Sequence, residues 1–191
     1  MEKINIDDFK LIDKNYPNFL FLRIDERTCS TRYIVINEGK KLLIDSGDGQ
    51  DELSFIPDVC ILTHGHYDHT SGVKDNWPEV FVHEKEDSSL PYVKIPSNAK
   101  KISENKFKFG SLELKLIHIP GHTSGGLCIF EPKSKFLFSG DTKFADNGYG
   151  RTDLGGSDEQ MQNSLEKLEK LPWEILCPGH GSIQYRDGKL I

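Results

Sequence analysis

Thr63-His64-Gly65-His66-Tyr67-Asp68-His69 packs three histidines and an aspartate behind the apolar run Val59–Leu62. An apolar run that ends in such a cluster reads as a buried strand opening into a loop. In extended backbone, residues i and i+2 point the same way, so His64 and His66 can reach one cation together. Asp68 and His69 are neighbours in sequence, so the chain must turn there, and a second cation beside the first suits them. Gly65 removes a side chain from between two ligands and lets the backbone bend tightly. A polar loop whose histidines merely hydrogen-bond would account for one histidine, but it accounts poorly for this density.

Working outward, three more residues share the pattern. His122 lies in Pro120-Gly121-His122-Thr123 after an apolar run, Asp141 ends Phe136-Leu137-Phe138-Ser139-Gly140-Asp141-Thr142, and His180 sits in Pro178-Gly179-His180-Gly181. His122 beside His64 and His66 would complete a three-histidine site with a position left for water. The Asp141 carboxylate has two oxygens and can bridge two cations, and His180 would join Asp68 and His69. Paired metals of this kind point to hydrolysis rather than to structure. Asp45, in Leu42-Leu43-Ile44-Asp45, is expected behind the ligands, taking the other ring N–H of a metal-bound histidine. Asp48 is expected in an exposed turn. His83 and His118, inside V-F-V-H and L-K-L-I-H-I, are expected to be packed or hydrogen-bonded structural residues.

The rest of the chain frames this cluster. A length of 191 residues predicts one domain, 1–191, with a sizeable core. A net charge of −6 argues against unaided binding to nucleic acid or to an anionic membrane, where basic residues supply most of the affinity. No apolar stretch approaches the roughly 18 residues of a membrane span. The start M-E-K-I-N-I-D-D-F-K lacks the apolar core of a secretory signal, so a cytoplasmic protein is expected. Cys60, Cys128 and Cys177 lie in or beside apolar runs and read as buried free thiols, with Cys29 accessible. The small-molecule partner is a substrate, and the oligomeric state stays open.

Strands are predicted at 19–24, 33–36, 41–44, 59–62, 80–83, 112–119, 127–130, 136–139 and 174–177, with hairpin turns at 37–40 and 186–189. Ser157 and Gln160 form a capping-box start, Met161, Leu165, Leu168 and Leu171 follow at helical spacing, and Pro172 stops the helix. Shorter helices are expected at 71–76 and 84–89. Many strands with interspersed helices imply an α/β (α+β) domain with helices on the outer faces of its sheets.

These motifs, in this order, resemble the metallo-β-lactamase superfamily over most of the chain, from L-I-D-S-G at 43–47 to P-G-H-G at 178–181. The resemblance implies a four-layer αβ/βα sandwich with the metal site at one edge between two sheets. It also implies that His64, His66 and His122 hold one metal, that Asp68, His69 and His180 hold the other, and that Asp141 bridges. Gly150-Arg151-Thr152-Asp153 followed by a helix with S-L-x-x-L is similar to glyoxalase II-type thioester hydrolases and their persulfide dioxygenase relatives. The function this implies is hydrolysis of a thioester or related ester by a hydroxide held between two metals, zinc in the first instance and iron or manganese otherwise. Asp68 would orient that hydroxide. Tyr67, Lys143, Tyr149 and Arg151 are the substrate-contact candidates. Glyoxalase II enzymes carry a C-terminal helical extension that helps bind glutathione, whereas only eleven residues follow His180, so glutathione specificity is not expected to carry over. The alternatives are a mononuclear iron persulfide dioxygenase using His64, His122 and Asp141, and a non-enzymatic metal-binding module.

Overall fold

Continuous apolar runs such as Tyr33–Val35 and Leu42–Ile44 need a partner on both faces of the strand, and the fold supplies one. The computed structural model describes residues 2–22 and 30–191. The end of the strand predicted at 19–24, and Cys29, lie outside the described residues. In chain order the first strands are β1 (Glu2–Ile4), β2 (Lys10–Leu11), β3 (Phe19–Leu22), β4 (Arg32–Asn37), β5 (Lys40–Ile44), β6 (Asp51–Leu53) and β7 (Val59–Ile61). After helix α1 (Tyr67–Thr70) come β8 (Val80–His83), β9 (Ala99–Ile102), β10 (Asn105–Phe109), β11 (Leu112–His118), β12 (Leu127–Glu131) and β13 (Phe136–Gly140). Helix α2 (Asp158–Glu169), β14 (Ile175–Pro178) and β15 (Gln184–Tyr185) close the chain.

Two mixed sheets result. One runs β2-β3-β4-β5-β7-β8-β9, antiparallel up to β5 and parallel beyond it. The other runs β10-β11-β12-β13-β14-β15, antiparallel except where β13 and β14 run parallel. Strands β1 and β6 form a small parallel pair. The main core lies between the sheets: Phe19, Tyr33, Val35, Leu42, Ile44 and Ile61 from the first meet Leu114, Leu116, Ile129, Phe136, Phe138 and Ile175 from the second. The alternate residues Ile34, Leu43, Cys60 and Val82 face outward and are covered by Ile4, Phe9 and Trp77. On the far side Phe130, Leu137 and Leu176 pack under Leu168 of α2 and Trp173. The result is a mixed α/β sandwich with few helices, the seven-stranded sheet being covered mainly by loops and short turns.

Phe136 is fully buried and stacks on Phe19 at 4.2 Å between ring centroids, a contact that ties the two sheets. Phe136→Ala is expected to destabilise the fold by about 3–5 kcal/mol, read from urea denaturation.

The turn at Glu38–Gly39 has positive φ at both central residues, as a primed hairpin requires. Ser157 accepts a hydrogen bond from the Gln160 amide at the start of α2. Cys60, Cys128 and Cys177 are buried free thiols. Two helix predictions fail. Residues 71–76 form turns because Gly72 packs against the Ser46 carbonyl, where a Cβ would come within 2.0 Å. At 84–89, Asp87 accepts bonds from the Ser89 amide and hydroxyl and so closes a local turn. The missed strands β9 and β10 are lysine-rich edge segments: β9 has no alternation, and β10 carries only the short one K-F-K-F.

His83 and His118 stack face to face at 4.2 Å, one from each sheet. His118 Nε2 donates to the Ser124 carbonyl, and His83 Nδ1 accepts from the Lys85 amide. Both are packed and hydrogen-bonded, as expected from their place in apolar runs. Burial, then the neighbouring His118, pushes His83 down to about 4 from 6.5. The unfolded chain therefore binds the proton more readily, and stability contributed above pH 6.5 is lost as pH falls toward about 4. His83→Gln should flatten that acid branch relative to wild type in thermal melts between those pH values.

Candidate metal centre

Asp45 follows β5, His64 follows β7, His122 follows β11, Asp141 follows β13 and His180 follows β14, so the ends of strands from both sheets converge on one edge. The sheets are joined there: Leu127 N–H donates to the Thr63 carbonyl and the Tyr33 hydroxyl to the Pro178 carbonyl. His66 is extended and leads into α1, which carries Asp68 and His69 round the turn. A register shift between Phe138 and Gly140 bends the end of β13 just before Asp141.

The outer hydrogen bonds decide which ring nitrogens face the centre. His122 Nδ1 lies 2.6 Å from the Arg151 carbonyl, which can only accept, so Nδ1 carries a proton and Nε2 is the nitrogen turned inward. His69 Nδ1 donates to Asp45 Oδ2 at 2.8 Å. The Thr63 hydroxyl spends its proton on the same Asp45 oxygen, so at 3.1 Å it can only accept from His64 Nδ1. His64 therefore also turns a bare Nε2 inward. Asp45, 1% exposed and with φ of 59°, thus orients His69 directly and His64 through Thr63.

The inward atoms crowd together. His66 Nδ1 and His122 Nε2 are 2.9 Å apart, and His69 Nε2 and His180 Nε2 are 3.3 Å apart. Two nitrogens bound to one tetrahedral zinc-sized cation lie about 3.3 Å apart. Asp68 Oδ2 is 3.1 Å from His180 Nε2. Asp141 reaches both groups: Oδ2 is 3.5 Å from His122 Nε2 and 3.5 Å from His180 Nε2, and Oδ1 is 3.4 Å from His69 Nε2. Three trios have the spacing to hold an ion: His64, His66 and His122; His64, His69 and Asp141; Asp68, His69 and His180. Buried His64 Nε2, His66 Nε2 and Asp141 Oδ1 have no hydrogen-bond partner, a costly arrangement unless something else binds there.

The protonation states suit cations. Burial, with help from His69, holds His64 well below its ordinary value, and burial with the His122 charge pushes His66 down to about 4. Burial opposes the Asp141 charge, but His69 outweighs it and keeps the carboxyl ionised. Burial likewise opposes a charge on His69, yet Asp45 and Asp141 raise its pKa well above the ordinary value. The proton this places on Nε2 is the one a cation would displace.

A cavity of about 490 Å³ opens over the cluster, lined by His66, Asp68, His122, Asp141 and His180 and by a wall of Tyr67, Tyr92, Arg151 and Leu154. Two substrate-contact candidates lie elsewhere. Lys143 is buried and pairs with Glu169 at 2.8 Å beside Trp173, in a separate groove with Arg186. The turn at Asp141–Thr142 that ends β13 carries it away from the cluster. Tyr149 is half exposed and does not line the cavity. The Arg151 guanidinium forms a bidentate pair with Asp153, while its carbonyl fixes His122. Gly150 is required at the same place, since a Cβ there would come within 2.0 Å of the Asp141 carbonyl. Tyr92 and Leu154 were not singled out from the sequence, where neither belongs to a ligand motif.

Two facing sheets with a histidine–aspartate cluster where their strands end define a metal-binding, hydrolase-type fold. The chain belongs to the metallo-β-lactamase superfamily, whose family model matches residues 27–180. Among solved structures it is similar to BLEG-1 B3 metallo-β-lactamase, at 26% identity and a TM-score of 0.72 over 87% of this chain and 93% of that one. TTHA1623, solved in a di-iron-bound form, is 25% identical with a TM-score of 0.68 over 86% and 93% of the two chains. A metallo-β-lactamase from Staphylococcus aureus subsp. aureus COL is 25% identical with a TM-score of 0.67, over 85% of this chain and 55% of that one.

Proposed function

We propose that the protein is a hydrolase dependent on two divalent metals, zinc in the first instance, that cleaves a small-molecule thioester or related ester in the manner of glyoxalase II. One observation carries this reading. The outer partners of His64, His69 and His122 hold those rings by Nδ1 and turn Nε2 inward, beside two acidic residues and with room above for a substrate. His64, His66 and His122 would hold one cation, Asp68, His69 and His180 the other, and Asp141 would lie between them. Bound, such cations would supply an acidified water as nucleophile and polarise the scissile carbonyl.

The protein's own groups do the rest. Asp68, partly open to the cavity, would orient the attacking water, and Asp45 keeps the His64 and His69 rings from turning. Tyr67, Tyr92 and Leu154 offer apolar surface for an acyl or leaving group. Arg151 is a substrate contact only if an anionic group draws it from Asp153.

The test pairs metal quantification with an assay on S-lactoylglutathione, simpler thioesters and a chromogenic β-lactam. About two metals per chain are expected, with thioester turnover lost on chelation and restored by zinc. One iron per chain with oxygen uptake on a persulfide would instead support the dioxygenase reading. Metal uptake with no turnover of any thioester or ester would leave a binding module. Among the described residues no helix is long and apolar enough to cross a membrane.

A further inference from the structure

Glu86 stands outside the seven candidate ligands, yet it is 6% exposed and packs against the backbone that carries them. It sits in the turn after β8, where its own amide bonds the His83 carbonyl. Its Oε2 accepts from the Thr123 hydroxyl at 3.0 Å, and the nearby Gly65 N–H favours the charged form of the carboxylate. Its Oε1 is buried without a hydrogen-bond partner. Gly65 lies between His64 and His66, and Thr123 follows His122. Space for the carboxylate is kept open by two glycines. A Cβ at Gly65 would come within 2.8 Å of Glu86 Cγ, and one at Gly125 within 2.6 Å of Glu86 Oε2.

We infer that Glu86 is a positioning residue for the candidate metal centre, tying the Gly65 and Thr123 segments together so that His64, His66 and His122 converge on one cation. This rests on the metal-centre reading above. Burial pushes the Glu86 carboxyl up to about 7, so its place here is costly. Packing alone would be served better by an apolar residue. Electrostatics gives a reason to keep it. Two dications facing only two ligating carboxylates leave excess positive charge, and Asp45 and Glu86 are buried carboxylates behind the cluster, one on Thr63 and His69 and the other on Thr123. Lys101 and Asp87 are the other charged groups whose fields reach Glu86.

The test uses cobalt(II) as the probe, with Glu86→Gln and Thr123→Val as variants. The first keeps the shape and an acceptor oxygen but loses the charge; the second keeps the carboxylate and removes its hydroxyl donor. Each is expected to shift the visible cobalt bands and to weaken uptake of the first metal equivalent by roughly 10–100-fold in chelator competition. The double variant should fall short of the product of the single effects, because both remove one contact. Metal-free Thr123→Val should still melt cooperatively, lowered only by the one buried hydrogen bond it loses, so this variant carries the test if Glu86→Gln folds poorly. Unchanged bands and affinity in the variants would overturn the role of Glu86 alone. A wild-type chain that takes up no metal would overturn the metal-centre reading itself.

Discussion

Asp141→Ala is expected to lower thioester turnover by at least three orders of magnitude, about 4 kcal/mol of barrier, and to reduce bound metal from two equivalents toward one. The reason is its place between the two trios. Its oxygens lie 3.4–3.5 Å from His69, His122 and His180, and no other described carboxylate approaches all three. Without it, two cations would face each other across neutral rings with no shared anion to offset their repulsion. The fold should survive, because among the described residues the Asp141 side chain makes no hydrogen bond to the backbone, and its ion-pair contacts are to His69, His122 and His180. Circular dichroism, metal analysis and steady-state kinetics on one preparation check all three points. Wild-type turnover in the variant would refute the two-metal hydrolase reading, and Asp141→Asn, which keeps the shape without the charge, should follow the alanine variant.

The second large effect falls on stability. Asp45 accepts from the Thr63 amide at 2.7 Å, the Thr63 hydroxyl at 2.8 Å and His69 Nδ1 at 2.8 Å, all buried. Asp45→Ala strands these donors at about 1–3 kcal/mol each and places alanine in the left-handed region, at roughly 1–2 kcal/mol more. A loss of at least about 3 kcal/mol is expected, read as a lower denaturation midpoint of the metal-free protein. Asp45→Asn tolerates the positive φ and keeps part of the bonding. It should fold and instead weaken metal uptake by roughly 10–100-fold, since His69 and His64 lose the groups that set their tautomers. Equal stability of Asp45→Ala and wild type would show that the Thr63 and His69 donors find other partners.

The strands and the candidate ligands were legible for different reasons. The central strands are buried on both faces, so Tyr33–Val35, Leu42–Ile44 and Leu127–Phe130 announce themselves as unbroken apolar runs. The ligand motifs are legible because polar residues at the end of such runs have nowhere to go but the sheet edge. Edge strands β9 and β10 escaped because they are short and lysine-rich, with too few apolar residues to mark a buried run. The short helices were misplaced because single side-chain contacts, at Gly72 and Asp87, override weak local propensity.

By itself, then, the chain determined that histidines 64, 66, 69, 122 and 180 and aspartates 68 and 141 would gather at strand exits, since local apolar patterning says where a buried strand stops. Tertiary structure alone decided what stands behind them and beside them. The Arg151 carbonyl on His122, the Asp45–Thr63 relay to His64, the Glu86 carboxylate between Gly65 and Thr123, and the turning of Lys143 away from the cavity all depend on segments dozens of residues apart meeting within hydrogen-bond distance. Hydrogen bonding and charge act over a few ångströms in space, and spacing along the chain carries no record of which distant backbone carbonyl or carboxylate will be folded into reach.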